Sequence, residues 1–177
     1  FRNIEVRLNK PDLRVETRPG YFAVPETGEG PLTPGDFGAL QALDAKPLAF
    51  DFTSKAFRFH NTNAIAWEVP IANLTGTPEP DAKHRYHAYL LALVKNAQGE
   101  VVARVSKDVP SEVTDNLLPA LNREPMIYEH AVNLGLGRYT IETAVVDQEG
   151  NRASTNIFTL DNREHQGPAV NNIALVS

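Results

Sequence analysis

The sequence predicts an all-β fold: an antiparallel β-sandwich of the Ig-like or fibronectin-like kind, with an N-terminal hairpin and one or two short helices. Three observations predict it. Apolar and polar residues alternate at period two along most of the chain. Turn signals separate these segments about every 10 to 15 residues. The 177 residues include 13 prolines and 11 glycines, a punctuation that suits short strands better than a helical bundle.

Taken in order, Ile4, Val6 and Leu8 alternate with Glu5 and Arg7, which gives a strand with one wet face. Asn9-Lys10-Pro11-Asp12 turns the chain, and Leu13, Val15 and Thr17 return it as the second arm of a hairpin. Residues 1–22 form this hairpin unit. Residues 23–50 read as a linker, dense in Pro25, Gly28, Gly30, Pro31, Pro34 and Gly35. Within it, Asp36 to Ala45 has the pattern of a short helix, with Asp36 near the N-cap, Phe37, Leu40 and Leu43 on one side, and Pro47 ending it.

Residues 51–177 form the sandwich. Phe57 and Phe59 alternate with Arg58 and His60, and Asn61-Thr62-Asn63 follows as a turn. Ile65, Trp67, Val69 and Ile71 make the next apolar face, and Thr75 to Asp81 is a loop. Tyr86 to Val94 is apolar on both faces, as a central strand covered on two sides must be. Asn96 to Glu100 closes a hairpin onto Val101, Ala103 and Val105. Ser111 to Arg123 resembles a short helical connection, with Ser111 capping it and Leu117, Leu118 and Leu121 inward. Met126 to Leu134, Tyr139 to Asp147 and Arg152 to Leu160 are three more strands, the last two joined by a tight turn at Gln148-Glu149-Gly150-Asn151. Ile173 to Val176 adds an edge strand.

Composition narrows the function. A formal charge of -5 gives no electrostatic reason to expect nucleic acid as a partner. No apolar run approaches the ~20 residues of a membrane helix. The chain has no cysteine, which removes disulfides, thiol chemistry and Cys-ligated zinc. It opens on Phe1 in strand-like sequence rather than on a basic start and apolar middle. The expectation is therefore a mature product, a fragment or an excised piece.

Residues 1–23, running through Arg18-Pro19-Gly20-Tyr21-Phe22-Ala23, resemble the end of the VWFA-related acidobacterial domain, where a basic strand pair ends in an Arg-Pro/Lys-Gly-Tyr-Tyr/Phe signature. Ala88 to Val102 and Gly137 to Ser154 look like the region that follows that domain in such proteins. The resemblance implies a secreted or envelope-associated bacterial protein. A VWA domain holds metal through an Asp-x-Ser-x-Ser loop. Here the nearest string is Asp51-Phe52-Thr53-Ser54-Lys55, and Lys55 puts a cation where a ligand oxygen is needed. No metal-binding residues carry over.

The remaining candidates are weighed one by one. His84 and His87 have a spacing that suits zinc on a helix, but on a strand positions i and i+3 face opposite ways. A surface pair is the expectation. Asp147-Gln148-Glu149-Gly150-Asn151 offers oxygens for calcium, yet a hairpin needs the same Gly and Asn for its backbone, so the turn is preferred. Trp67, Tyr86, Tyr89 and Tyr128 are the aromatics from which a sugar platform would be built; Trp67 shares its face with Ile65 and Val69 and reads as core. Tyr139, after Leu134-Gly135-Leu136-Gly137-Arg138, has the placing of a corner tyrosine that bonds back across a sheet crossover. Asn73-Leu74-Thr75 matches a glycosylation sequon.

No catalytic, cofactor-binding or metal-ligating residue is singled out. The expected role is a non-catalytic structural or protein-protein interaction module of an extracytoplasmic protein. Its partner is a protein or a second copy, engaged by strand pairing through the N-terminal hairpin. The alternatives are a carbohydrate-binding module with a glycan partner, and an enzyme whose site assembles only in space.

Overall fold

In the computed structural model, residues 30–59 and 62–163 are described, together with the backbone of 2–3 and 20–21. Strands β1 (Arg2–Asn3) and β2 (Gly20–Tyr21) pair antiparallel, Arg2 with Tyr21. The rest of the expected hairpin, and the edge strand at 173–176, lie outside the described residues.

The fold is all-β and antiparallel, with two sheets enclosing one core. The smaller sheet is β3 (Thr53–Phe59), β4 (Thr62–Pro70) and β8 (Pro125–Val132), in the order β3-β4-β8. The larger is built on β6 (Lys83–Lys95), which has β7 (Val101–Thr114) along one edge. On its other edge lie β9 (Gly137–Asp147), followed by β10 (Arg152–Asn162), and, past the end of β9, the short β5 (Thr77–Glu79). Between the sheets, Ile65, Trp67 and Val69 of β4 meet Leu90, Ala92 and Val94 of β6 and Ile141 and Val145 of β9. Each large aliphatic side chain so buried contributes about 1.5–3 kcal/mol.

β6 is apolar on both faces because both are covered. Ala88, Leu90, Ala92 and Val94 join the sandwich core. Tyr89, Leu91 and Leu93 join a second cluster beneath helix α1 (Pro34–Ala45) with Ala39, Leu40, Ala42 and Ala144. The helix lies within the proline- and glycine-rich 23–50 span and packs on the outer face of the five-stranded sheet.

Asp36 stands near the N-cap as expected, and the helix begins two residues earlier than the pattern placed it, at Pro34. Thr33 is the N-cap and Asp36 stands three residues in, where its carboxylate accepts the Thr33 N–H at 2.7 Å while the Thr33 hydroxyl accepts the Asp36 N–H at 3.3 Å. This sets Asp36 inward, fully buried, and turns Phe37 outward to 43% exposure. The inner face is thus Asp36, Ala39, Leu40 and Ala42, not one led by Phe37. The helix ends on Lys46 in the left-handed region, φ 53°, just before Pro47.

Three further boundaries move, each because a strand partner is present. Ser111 does not cap a helix. β6 extends back to Lys83, so Ser111 pairs with Tyr86 and Val113 with His84, and only Leu118–Leu121 (α2) is helical. Leu118 and Leu121 do pack on the core, whereas Leu117 is 52% exposed. The Thr75–Asp81 loop contains β5, paired with Lys83 to Arg85. Thr62 and Asn63 belong to β4 rather than to a turn, facing Phe59 and Arg58. The Asn96–Glu100 turn forms as expected, the Asn96 side chain accepting the amides of Gln98 and Glu100.

Candidate interaction edge

The two sheets differ on their outer faces. α1 roofs the five-stranded sheet, while no described element covers the three-stranded one. The register of the latter places its outer residues in rows: Thr53, Glu68 and Ile127; Lys55, Ala66 and Glu129; Phe57, Ala64 and Ala131. Three alanines thus form the floor, with Lys55 and Glu68 ion-paired across it.

β8 is one edge strand of this sheet among the described residues, β3 being the other. Its side chains alternate as period two demands. Met126 and Tyr128 are half-buried against the core and Val132 is buried, whereas Ile127 (61% exposed), Glu129 and Ala131 face outward. Pro125 opens the strand, a position that costs no ladder bond. On the inner side Lys107 of β7 sits 5.4 Å from the Tyr128 ring centre. Burial raises the Tyr128 hydroxyl above the ordinary tyrosine value, opposed by its hydrogen bond with Ser111. At the Pro125 end the outer face opens into a depression of about 360 Å³ bordered by Asp51, Thr53, Glu68, Arg123 and Glu124.

The residues singled out in the sequence fall elsewhere. His84 and His87 do not converge: His84 bonds Asp115 at 2.8 Å and His87 bonds Asp108 at 2.6 Å. Among the described residues no group of three His, Asp or Glu side chains is arranged to hold a metal ion. The aromatic platform is not assembled: Trp67, Tyr86 and Tyr89 are 2%, 7% and 5% exposed, so only Tyr128 keeps a partly open ring. They are buried because a sandwich of this size draws its largest apolar surfaces inward. The Asn73 amide donates to the Asp51 carbonyl and the Thr75 hydroxyl to Asp147, so the side chains of that sequon are both engaged. Asp51 and Lys55 border and cross the open face, respectively, but form no metal loop. Tyr139 does bond back, its hydroxyl donating to the Gly135 carbonyl at 3.0 Å. Asn162 donates to the carbonyls of Leu134 and Gly135, tying the same corner from β10.

Gln148 to Asn151 is a turn with Asn151 at φ 47°. Its carboxylates serve the fold. Glu149 takes Arg85 Nε at 3.0 Å and the Thr77 hydroxyl at 2.5 Å. These bonds, that of Arg85 first, hold the Glu149 carboxyl below its ordinary value near 4.5. A depressed acid stabilises the fold fully above that value and loses its contribution as pH falls through the folded-state value. Glu149→Gln is therefore expected to flatten the acid-side fall in Tm below about pH 4.5, measured by thermal melts from pH 7 to pH 3. A variant with the wild-type slope would contradict this.

Sequence reading missed the buried pair Asp36 and Arg104, 0% and 5% exposed, with Nη1 3.7 Å from Oδ2. A signal was present. Arg104 faces Leu93 across the β6–β7 ladder, on the very face that the two-sided pattern of β6 marks as covered.

No family model matches this chain, and no curated protein matches it. Among solved structures it is similar to a β-glucuronidase from glycoside hydrolase family 2, at 18% identity and a TM-score of 0.35, over 64% of this chain and 11% of that one. No helix among the described residues is long and apolar enough to cross a membrane.

Proposed function

We propose that this chain is a non-catalytic protein-interaction module that takes up its partner by strand addition at β8 and the adjoining open sheet face. The observation that carries the reading is that β8 pairs with β4 alone among the described strands, with Ile127 61% exposed beside a floor of alanines. An edge strand presents unpaired N–H and C=O groups along its length, and a second extended chain satisfies them while its alternate side chains read the adjoining face. The extracytoplasmic bacterial setting implied by the resemblance of residues 1–23 belongs to the same reading. The pairing through residues 1–22 that the sequence leads one to expect belongs to the same reading.

Selection of a displayed random-peptide library against the full chain tests this. Enriched peptides are expected to slow amide exchange at residues 126–132. Ala131→Asp is expected to weaken them at least tenfold while changing stability by no more than about 0.5 kcal/mol, as for other surface sites. Enriched peptides that protect another face, or a library with no enrichment, would refute strand addition at β8.

A further inference from the structure

We infer that the outer face of the five-stranded sheet carries a second binding site, one for an acidic oligosaccharide: a sugar chain bearing carboxylate or sulfate groups. The register lays out its floor. α1 packs over Leu91 and Ala144, which face each other across β6 and β9. Beyond the C-terminal end of the helix the same face continues as a row of Leu93, Glu142 and Ile157, then a row of Lys95, Thr140 and Thr159. Two depressions open there. One, of about 330 Å³, is bordered by Leu43, Lys46 and Ile157. The other, of about 400 Å³, is bordered by Arg138, Thr140 and the turn at Asn96 and Gly99. The Lys95–Glu142 ion pair, 2.6 Å long, joins them, Glu142 lining the first and Lys95 the second.

Charge selects an anion. Three cations, Lys46, Lys95 and Arg138, and one carboxylate, Glu142, line the two depressions, on a chain whose formal charge is -5. Among the described residues Lys46 and Arg138 have no ion-pair partner, and Asp161, across the ladder from Arg138, is held by Arg163 at 2.6 Å. An unpaired guanidinium suits a carboxylate or sulfate, which it grips through two parallel N–H bonds. Sugar hydroxyls suit the rest. The Thr140 and Thr159 hydroxyls make no hydrogen bond among the described residues, and Glu142 bonds Lys95 through Oε2, leaving Oε1 for an O–H donor. A peptide is disfavoured because the backbone groups of β6, β9 and β10 lie in the plane of the sheet, paired with one another, and its face offers a second main chain none of them. A neutral sugar has no ring to stack on, since no aromatic side chain borders either depression.

Calorimetric titration of the full chain with four probes tests the inference: tetragalacturonate, a chondroitin sulfate tetrasaccharide, maltotetraose and tetraglutamate. At least one acidic sugar is expected to bind about tenfold more tightly than maltotetraose or tetraglutamate, the scale of one charge-assisted hydrogen bond, and to shift the amides of residues 138–142 and 155–159. Arg138→Gln is expected to weaken that binding about tenfold. Ala131→Asp, on the other sheet, is expected to leave it unchanged, so the result is separate from the fate of strand addition at β8. Maltotetraose binding as tightly would overturn the role of charge, and tetraglutamate binding as tightly would make this a site for acidic peptide. No binding of either acidic sugar, or wild-type affinity in Arg138→Gln, would remove the site.

Discussion

Replacing Asp36 with alanine is expected to remove about 3–5 kcal/mol of stability, the usual loss when one partner of a buried ion pair is deleted. Asp36 is fully buried and Arg104 only 5% exposed. The substitution leaves the guanidinium in a low-dielectric site with one remaining bond among the described residues, Nη2 to the Gly30 carbonyl at 2.6 Å. It also strips the capping box from α1, since the Asp36 carboxylate accepts both the Thr33 N–H and the Thr33 hydroxyl. The Thr33 hydroxyl in turn bonds Tyr89 at 2.6 Å, so the loss reaches the core beneath the helix. Urea titration followed by circular dichroism reads the effect as a lower midpoint at unchanged slope. Joining Asp36→Ala to Arg104→Met should recover a large part of the loss, because removing both charges removes the stranded one. A double variant as unstable as the sum of the two single ones would show that the pair does not act as a unit.

A loss of about 3 kcal/mol is expected for Asp147→Ala, the scale of stripping charged acceptors from several donors at once. This carboxylate is 0% exposed. Its Oδ2 accepts the Thr75 N–H at 3.0 Å, the Thr75 hydroxyl at 2.7 Å and Arg152 Nη2 at 2.8 Å, and its Oδ1 accepts the Gly150 N–H at 3.1 Å. It therefore binds the end of β9, the turn behind it and the strand β10 to the chain entering β5. Gly150 has no room for a side chain, because a Cβ would strike Thr75 Oγ1 and Asp147 Oδ2. Calorimetry should show Tm falling by roughly 6–12 °C for Asp147→Ala at about 2–4 °C per kcal/mol in a domain of this size. Added calcium should leave the wild-type Tm in place, since a ligand of the native turn would raise it. A calcium-dependent rise, or an alanine variant melting within about 2 °C of wild type, would return the turn to the role of an ion site.

The strands were legible because alternation is written locally. Ile65, Trp67 and Val69 fall on one face of any extended chain whatever lies around them, and all three are core. The two-sided apolar run of β6 announced that both of its faces are covered, and the Gly-rich corner before Tyr139 announced its bond to Gly135. The helix at 111–123 was misread for the opposite reason. Ser111 and the leucines after it carry helix signals, but Tyr86 and His84 stand across from Ser111 and Val113, and ladder pairing outweighs a weak local preference.

The candidate site was less legible. Nothing in Pro125 to Val132 says whether the strand is central or terminal, since that depends on which other segments find its two edges.

The order and faces of the strands were thus determined by the sequence itself, through a period of two residues that needs no partner to be read. Tertiary structure alone decided that α1 roofs one sheet while no described element roofs the other, that Asp36 meets Arg104, and that β8 ends its sheet among the described strands. Those are matters of distance between residues far apart along the chain. Local periodicity carries no record of them, and the burial of charge, the competition for strand edges and the closing of one core settle them together.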